Sequence, residues 1–314
     1  MIVDVHTHGP RERPASAAHP AASAGRTAAS KEGSSSAPMR PDRPDPEHVT
    51  LDDYLAAMDY VDRAIVFGIA APPPGDPHPF GGPPAPAEPR WPTARQRQVN
   101  DATAAVVRAR PEKLIGFMSV HPHEPDALEE IERAVHELGL RGIKLGPNYQ
   151  NFDPLGEPAF RLYRRAQELG LPILFHQGTS PVRFADLDYA HPRHMDRIAA
   201  RFPELRVIMA HMAHPWQADC IAVIRKHPNV WADISALHYR PWSYYTCLRL
   251  ATEWSVLHKL LFGSDFPVAT PRETAEALPH VNDIIEGTKL PPVPVEELLK
   301  IVERDALAVL GLDG

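Results

Sequence analysis

Residues 141–176 read RGIKLGPNYQNFDPLGEPAFRLYRRAQELGLPILFH. RGIKL (141–145) is an apolar run of strand length, EPAFRLYRRAQELG (157–170) spaces its apolar residues as a helix does, and LPILFH (171–176) is a second short apolar run. Gly170 supplies the stop that separates helix from strand. Strand, helix, strand is the unit that joins two parallel strands, because a hairpin cannot connect them.

The alternation extends both ways along the chain. Further apolar runs are IVDVH (2–6), RAIVFGI (63–69), KLIGFMSV (113–120), RVIMAH (206–211), VWADISA (230–236) and KLLFGSD (259–265). Between and after them lie the helically spaced stretches LDDYLAAMDY, RQRQVNDATAAVVRAR, EPDALEEIERAVHELG, RHMDRIAARF, WQADCIAVIRKH, residues 242–258 and VEELLKIVERDALAVLGL. Eight strands alternating with eight helices is the count of a closed (β/α)8 barrel, an α/β fold of roughly 250 residues plus insertions. An open doubly wound sheet is the weaker reading, since no glycine-rich phosphate turn follows the first strand. The 314 residues are therefore read as one barrel, distorted, with long insertions on its catalytic face.

Two segments break the rhythm. Residues 9–48 and 71–92 are crowded with Pro, Gly, Ala and Ser, and each follows an expected strand directly. In a barrel such positions are loops over the C-terminal mouth, and their composition reads as mobile insertion rather than packed lid. His19, His48 and His78 inside them are read as solvated.

Bulk composition narrows the function. A hydrophobic content of 43% supports a sizeable core, and the formal charge of −7 lacks the basic surplus that binds nucleic acid or an anionic membrane. No apolar run approaches the ~20 residues that span a bilayer, and no signal-peptide pattern opens the chain. The expectation is a cytoplasmic protein acting on a small molecule. Cys220 and Cys247 lack C-x-x-C spacing and are read as reduced, buried fillers.

The polar residues at strand ends carry the chemistry. Strict alternation along the first strand turns Asp4, His6 and His8 to one face and Val3, Val5 and Thr7 to the other. His176 ends the fifth strand, His211 the sixth and Asp265 the eighth. Singly, each has a plain reading as a hydrogen-bonded core histidine, a turn or a helix cap. Jointly, their barrel termini converge on one face, where imidazoles and a carboxylate suit one divalent metal, Zn2+ first, with Mn2+, Fe2+ or Co2+ as alternatives.

DVHTH, GIKLGPNYQNF, PILFHQG, AHMAHPW, HPNVWADIS and FGSDFP, in this order, resemble the amidohydrolase-related (amidohydrolase 2) family of the amidohydrolase superfamily. That family includes aminocarboxymuconate-semialdehyde decarboxylase, related aromatic-acid decarboxylases and lactone hydrolases. The resemblance implies one metal held by His6, His8, His176 and Asp265, with His211 as general base and Asp265 sharing proton transfer. It also implies a homodimer. Lys144 sits where other branches of the superfamily place a carboxylated lysine between two metals; in this branch the equivalent lysine is not a ligand. Ala213 and His214 stand where many relatives have a glycine turn, which leaves the aim of His211 open.

Further residues fall in expected mouth loops. Arg183 reads either as a two-point clamp for a substrate carboxylate or as a surface arginine. Lys144, Tyr149, Gln177, His214, Trp216, Arg240 and Trp242 are pocket candidates. Asp4 reads as a carboxylate that orients a ligand imidazole, or as a buried structural group. The leading expectation is hydrolysis of a lactone, amide or related carboxylated molecule by metal-activated water. The alternative is non-oxidative decarboxylation of an aromatic or unsaturated acid, and the second alternative a barrel that binds without turnover.

Overall fold

A computed structural model describes residues 1–10, 49–76, 94–180, 182 and 185–313. Eight parallel strands follow one another around the sheet in chain order: β1 (Val3–His8), β2 (Arg63–Phe67), β3 (Leu114–Met118), β4 (Gly142–Leu145), β5 (Ile173–Phe175), β6 (Val207–Met209), β7 (Val230–Asp233) and β8 (Leu260–Leu261). The ring closes where Val5 N–H donates to Phe262 O at 3.0 Å and His8 N–H to Phe266 O at 2.8 Å. This is the (β/α)8 barrel that the alternation predicts, and each strand lies within its predicted run except β1, which continues to His8.

The helices are α1 (Leu51–Met58), α2 (Gln96–Ala109), α3 (Ala127–His136), α4 (Pro147–Gln150), α5 (Glu157–Glu168), α6 (Arg193–Arg201), α7 (Gln217–Lys226), α8 (Pro241–Glu253), α9 (Pro271–Ala277), α10 (Val295–Glu303) and α11 (Ala306–Leu310). In α5, Ala159, Leu162, Tyr163 and Ala166 recur at intervals of three, one and three, which gathers them on one buried stripe. Truncating Leu162 there to alanine costs ~2–5 kcal/mol. Helices α1 and α9 begin with reciprocal Thr/acid caps, Thr50 with Asp53 and Thr270 with Glu273. The predicted last helix is two, because the chain breaks at Arg304 and Asp305 caps α11 separately. The short α4 and α9 were not anticipated.

Two apolar layers result. The larger packs strands against helices; the inner one joins Val3, Val5, Ile65, Phe67, Ile115, Phe117, Leu174, Ile208 and Leu261 with Ala306, Leu307, Leu310 and Leu312. Arg141, just before β4, donates to Leu312 O at 2.9 Å, so α11 plugs the N-terminal mouth of the barrel. The C-terminal mouth is left for polar groups. No helix among the described residues is long and apolar enough to cross a membrane. The segments 11–48 and 77–93, with His19, His48 and His78, lie outside the described residues, as does Arg183.

Candidate metal centre

The first strand departs from strict alternation. Its register against β2 slips between Asp4 and Thr7, a β-bulge that inserts one residue and resets the facing of side chains. Val3 and Val5 therefore join the inner cluster, while His6 and His8 still both meet the Phe67 ring, at 5.2 and 5.0 Å. Thr7 points outward, its hydroxyl donating to Ile65 O at 2.7 Å and lying 2.8 Å from Tyr54 Oη. Asp4 does not orient an imidazole: its Oδ1 accepts the backbone N–H of His6 at 3.0 Å and of Ser264 at 3.1 Å. Burial pushes its carboxyl up to about 7, against those hydrogen bonds.

Around this strand the site assembles. His6 Nε2 lies 3.2 Å and His8 Nε2 3.3 Å from the same oxygen, Asp265 Oδ1. His211 presents a nitrogen within 4.8 Å of His6 and Asp265. Its ring stands 4.8 Å from that of His6 and 5.2 Å from that of His176, which in turn packs 4.5 Å from Tyr149 on α4. Lys144 Nζ, fully buried on β4, lies 3.3 Å from His6 Nε2 and over the Phe67 ring. His6, His211 and Asp265 form the tight middle of the group; His8 and His176 flank it.

His211 does not end β6. The strand stops at Met209, and His211, Met212 and Ala213 follow with φ of 57°, 46° and 53°, a left-handed run that non-glycine residues rarely adopt. Asp265 shares that conformation at φ 64° and donates its N–H to His6 O at 2.8 Å. Beside this turn Gly178, at φ 94°, carries no Cβ because one would lie 2.2 Å from His214 O. The β5 and β6 loops thereby meet closely, and Thr179 N–H donates to His214 O at 2.7 Å.

Electrostatics follow from burial and charge. Burial favours the neutral form of Asp265, but His211, His6 and His8 outweigh it and hold the carboxyl well below the usual range. Burial presses His211 down to about 4, opposed by Asp265 and Asp233, and leaves its imidazole neutral at pH 7. It lowers His176 as well, with His211 and Lys144 adding to the effect. For His6 burial and Lys144 work downward, yet Asp233 and Asp265 prevail and raise it. Burial brings Lys144 down to about 7 against Asp233 and Asp265. Imidazole nitrogens converging with an ionised carboxylate are the donor chemistry of a divalent transition-metal site, so these residues fit such a cation.

The remaining candidates scatter around the mouth. Gln177 is buried, its amide donating to His176 O at 3.1 Å. His214 Nδ1 accepts from Gln217 at 2.8 Å, and Trp216 packs 4.7 Å from His191. Arg240 donates to Ala236 O at 2.6 Å and covers the Tyr239 ring. Trp242 is 58% exposed and faces solvent.

Asp233 and Ser235, which lie in the HPNVWADIS stretch, belong to the site as well, beyond the residues expected from sequence. A polar residue at each second position beyond an apolar strand is the signal that marks them. A second group, Asp76, His121 and His123, brings comparable atoms within 4.8 Å. His121, however, has both nitrogens engaged by backbone: Nδ1 accepts His123 N–H at 3.2 Å, and Nε2 lies 2.6 Å from Gln150 O, which can only accept. With no lone pair to give, His121 clasps the loop, and His123 pairs with Asp76 at 2.9 Å near the surface.

Comparison with known proteins places the chain in a family. The amidohydrolase family model matches residues 73–312. The chain belongs to the amidohydrolase family. It is 32% identical over 80 residues to 2-amino-3-carboxymuconate-6-semialdehyde decarboxylase of Dictyostelium discoideum, a match spanning 25% of this chain and 22% of the relative's length. The fold is similar to that of a dihydroxybenzoic acid decarboxylase from Polaromonas sp. JS666 with bound manganese and 2-nitroresorcinol (TM-score 0.59, 16% identity, 100% of this chain and 97% of that one). It is similar too to a probable 2-pyrone-4,6-dicarboxylic acid hydrolase from Acinetobacter baumannii with bound citric acid (TM-score 0.58, 14% identity, 99% of each chain).

Proposed function

We propose that this chain is a metal-dependent, non-oxidative decarboxylase of a small aromatic or unsaturated carboxylic acid. The observation that carries the reading is its 32% identity over 80 residues to a decarboxylase of an unsaturated amino-carboxy acid. The leading expectation from sequence, hydrolysis, gives way to the alternative on that ground. Hydrolysis stays as the second reading because the Acinetobacter barrel, a probable hydrolase by name, has the same fold.

His6, His8, His176 and Asp265 would hold one divalent cation of the zinc or manganese class. When bound, that cation supplies the positive charge that chelates a substrate carboxylate and draws electron density from the carbon bearing it. Lys144 adds a second positive group beside the same point, and a substrate carboxylate next to it favours its charged form. The bond to the carboxyl carbon breaks, its electron pair stays on the substrate carbon, CO2 leaves, and one proton adds to that carbon. His211 and Asp265 handle this proton. Burial keeps His211 neutral until a substrate anion arrives, and the new negative charge then favours protonation of its ring. Tyr149, Gln177, His214, Trp216 and Arg240 would shape the mouth.

The test is a panel of hydroxylated benzoates and carboxymuconate-type acids carrying a 13C-labelled carboxyl group, run in 18O water. Labelled CO2 released in step with the decarboxylated product is the expected result. Solvent 18O in a product formed without CO2 means hydrolysis and overturns the proposal.

A further inference from the structure

The hydrogen bonds of Asp233 reach the two innermost rings of the site. Asp233 ends β7 and is fully buried. Its Oδ2 lies 2.9 Å from His6 Nδ1. Its Oδ1 accepts the backbone N–H of His211 at 2.9 Å, the backbone N–H of Ser235 at 3.1 Å and the Ser235 hydroxyl at 2.5 Å. An ionised carboxylate only accepts, so the proton in the first contact belongs to His6 Nδ1. Ser235 has a single hydroxyl proton and gives it to Asp233. The same hydroxyl oxygen, 2.8 Å from His211 Nδ1, is therefore an acceptor on that side. Ser235 O, 3.3 Å from the same nitrogen, can also only accept. Both contacts require an N–H at His211 Nδ1. A neutral imidazole has one N–H, so in each ring the nitrogen left with a lone pair is Nε2; at His6 that atom lies 3.3 Å from Lys144 Nζ, which can donate to it, and 3.2 Å from Asp265 Oδ1, the acceptor with which it would share a cation.

We propose that Asp233, directly on His6 and through the Ser235 hydroxyl on His211, is a positioning residue that fixes both rings as Nδ1–H tautomers and reserves their Nε2 atoms for the centre they share with Asp265. The inference rests on the reading of that centre as a cation site. Asp233 also holds the left-handed turn at His211 through its backbone N–H, so one carboxylate sets the tautomer of both rings and the path of the chain that carries one of them. A carbonyl could accept from one ring but not from all four donors, which is why a carboxylate suits this position.

The test uses the metal-free full-length protein with 15N-labelled histidine, read by NMR for which nitrogen of each ring is protonated, followed by zinc binding in competition with a chelator. In the wild type, read at a pH alkaline enough for His6 to be neutral, both rings keep the proton on Nδ1. Asp233→Asn sets an amide N–H against His6 Nδ1, so His6 moves its proton to Nε2 and zinc affinity falls about 10–100-fold. Ser235→Ala shifts the His211 signals most, because the hydroxyl lies 2.8 Å from His211 Nδ1 and 3.3 Å from His6 Nδ1, and it weakens zinc less. Unchanged tautomers with unchanged zinc affinity in Asp233→Asn overturn the proposal. Should that variant fail to fold, Ser235→Ala decides: a larger shift at His211 than at His6, which keeps Asp233 on its Nδ1, supports the relay, and no shift at His211 overturns it. The NMR readout needs no turnover, so a wild type with these tautomers but no CO2 release rejects the proposed function and leaves this inference standing.

Discussion

His6-Thr7-His8 and His121-Pro122-His123 have the same spacing, and both stand at the C-terminal mouth, on β1 and just beyond β3. Their environments differ. On β1 the Nε2 atoms of both rings approach one carboxylate oxygen, Asp265 Oδ1. Beyond β3 the inner ring is consumed by two backbone groups, and the outer one pairs with Asp76 where its side chain is 33% exposed. The spacing of two histidines fixes only that they are neighbours. Whether they are available to a ligand depends on which partners the fold sets against their nitrogens.

The largest effects that separate the two pairs lie at the first centre. Asp265→Asn abolishes most turnover and strips the metal, measured together as rate and metal content. His211→Asn lowers kcat by roughly 10²–10⁴-fold, the span of a lost proton-transfer group, and leaves the metal bound. Equal metal loss in both variants breaks the division of roles between them.

Metal content after dialysis sharpens the comparison next. One divalent ion per chain is expected, lost in His8→Ala and retained in His123→Ala. A second ion that disappears with His123→Ala would make the two pairs equivalent. Removing the inner ring of the second pair acts on stability instead: His121→Ala strands a buried carbonyl and a backbone N–H and costs ~2–3 kcal/mol in denaturant unfolding, with metal content unchanged.

The pH dependence is smaller. Burial lowers His121 to about 3 from 6.5, against its hydrogen bond to Gln150. Between those values the unfolded chain takes up a proton that the folded chain refuses, so stability falls as pH drops from 6.5 toward 3 and is regained as pH rises. His121→Gln, which keeps a donor and an acceptor but does not titrate, flattens part of that slope; an unchanged slope contradicts the burial of a neutral ring. The smallest effect is His123→Ala on stability, within ~1 kcal/mol, as expected for a partly exposed pair.

The barrel was legible because its signals are local. The run RGIKL, the stripe of α5 and the stop at Gly170 each lie within a few residues of the structure they specify. The clustering of His6, His176, His211 and Asp265 could be anticipated because barrel strands end on a common face. The bulge in β1, which turned Val3 and Val5 inward against the expected alternation, had no comparable mark.

The sequence by itself therefore determined the order of strands and helices, the apolar faces and the kinds of polar group that reach the mouth, since periodicity and chain direction decide those. Only the tertiary structure decided which histidine nitrogens are free. That depends on hydrogen bonds such as His6 to Asp233, across 227 positions of chain, and on carbonyls such as Gln150 O whose place no side-chain pattern records. A hydrogen bond has a range of about 3 Å, so its partners are chosen by the folded geometry and not by spacing along the chain.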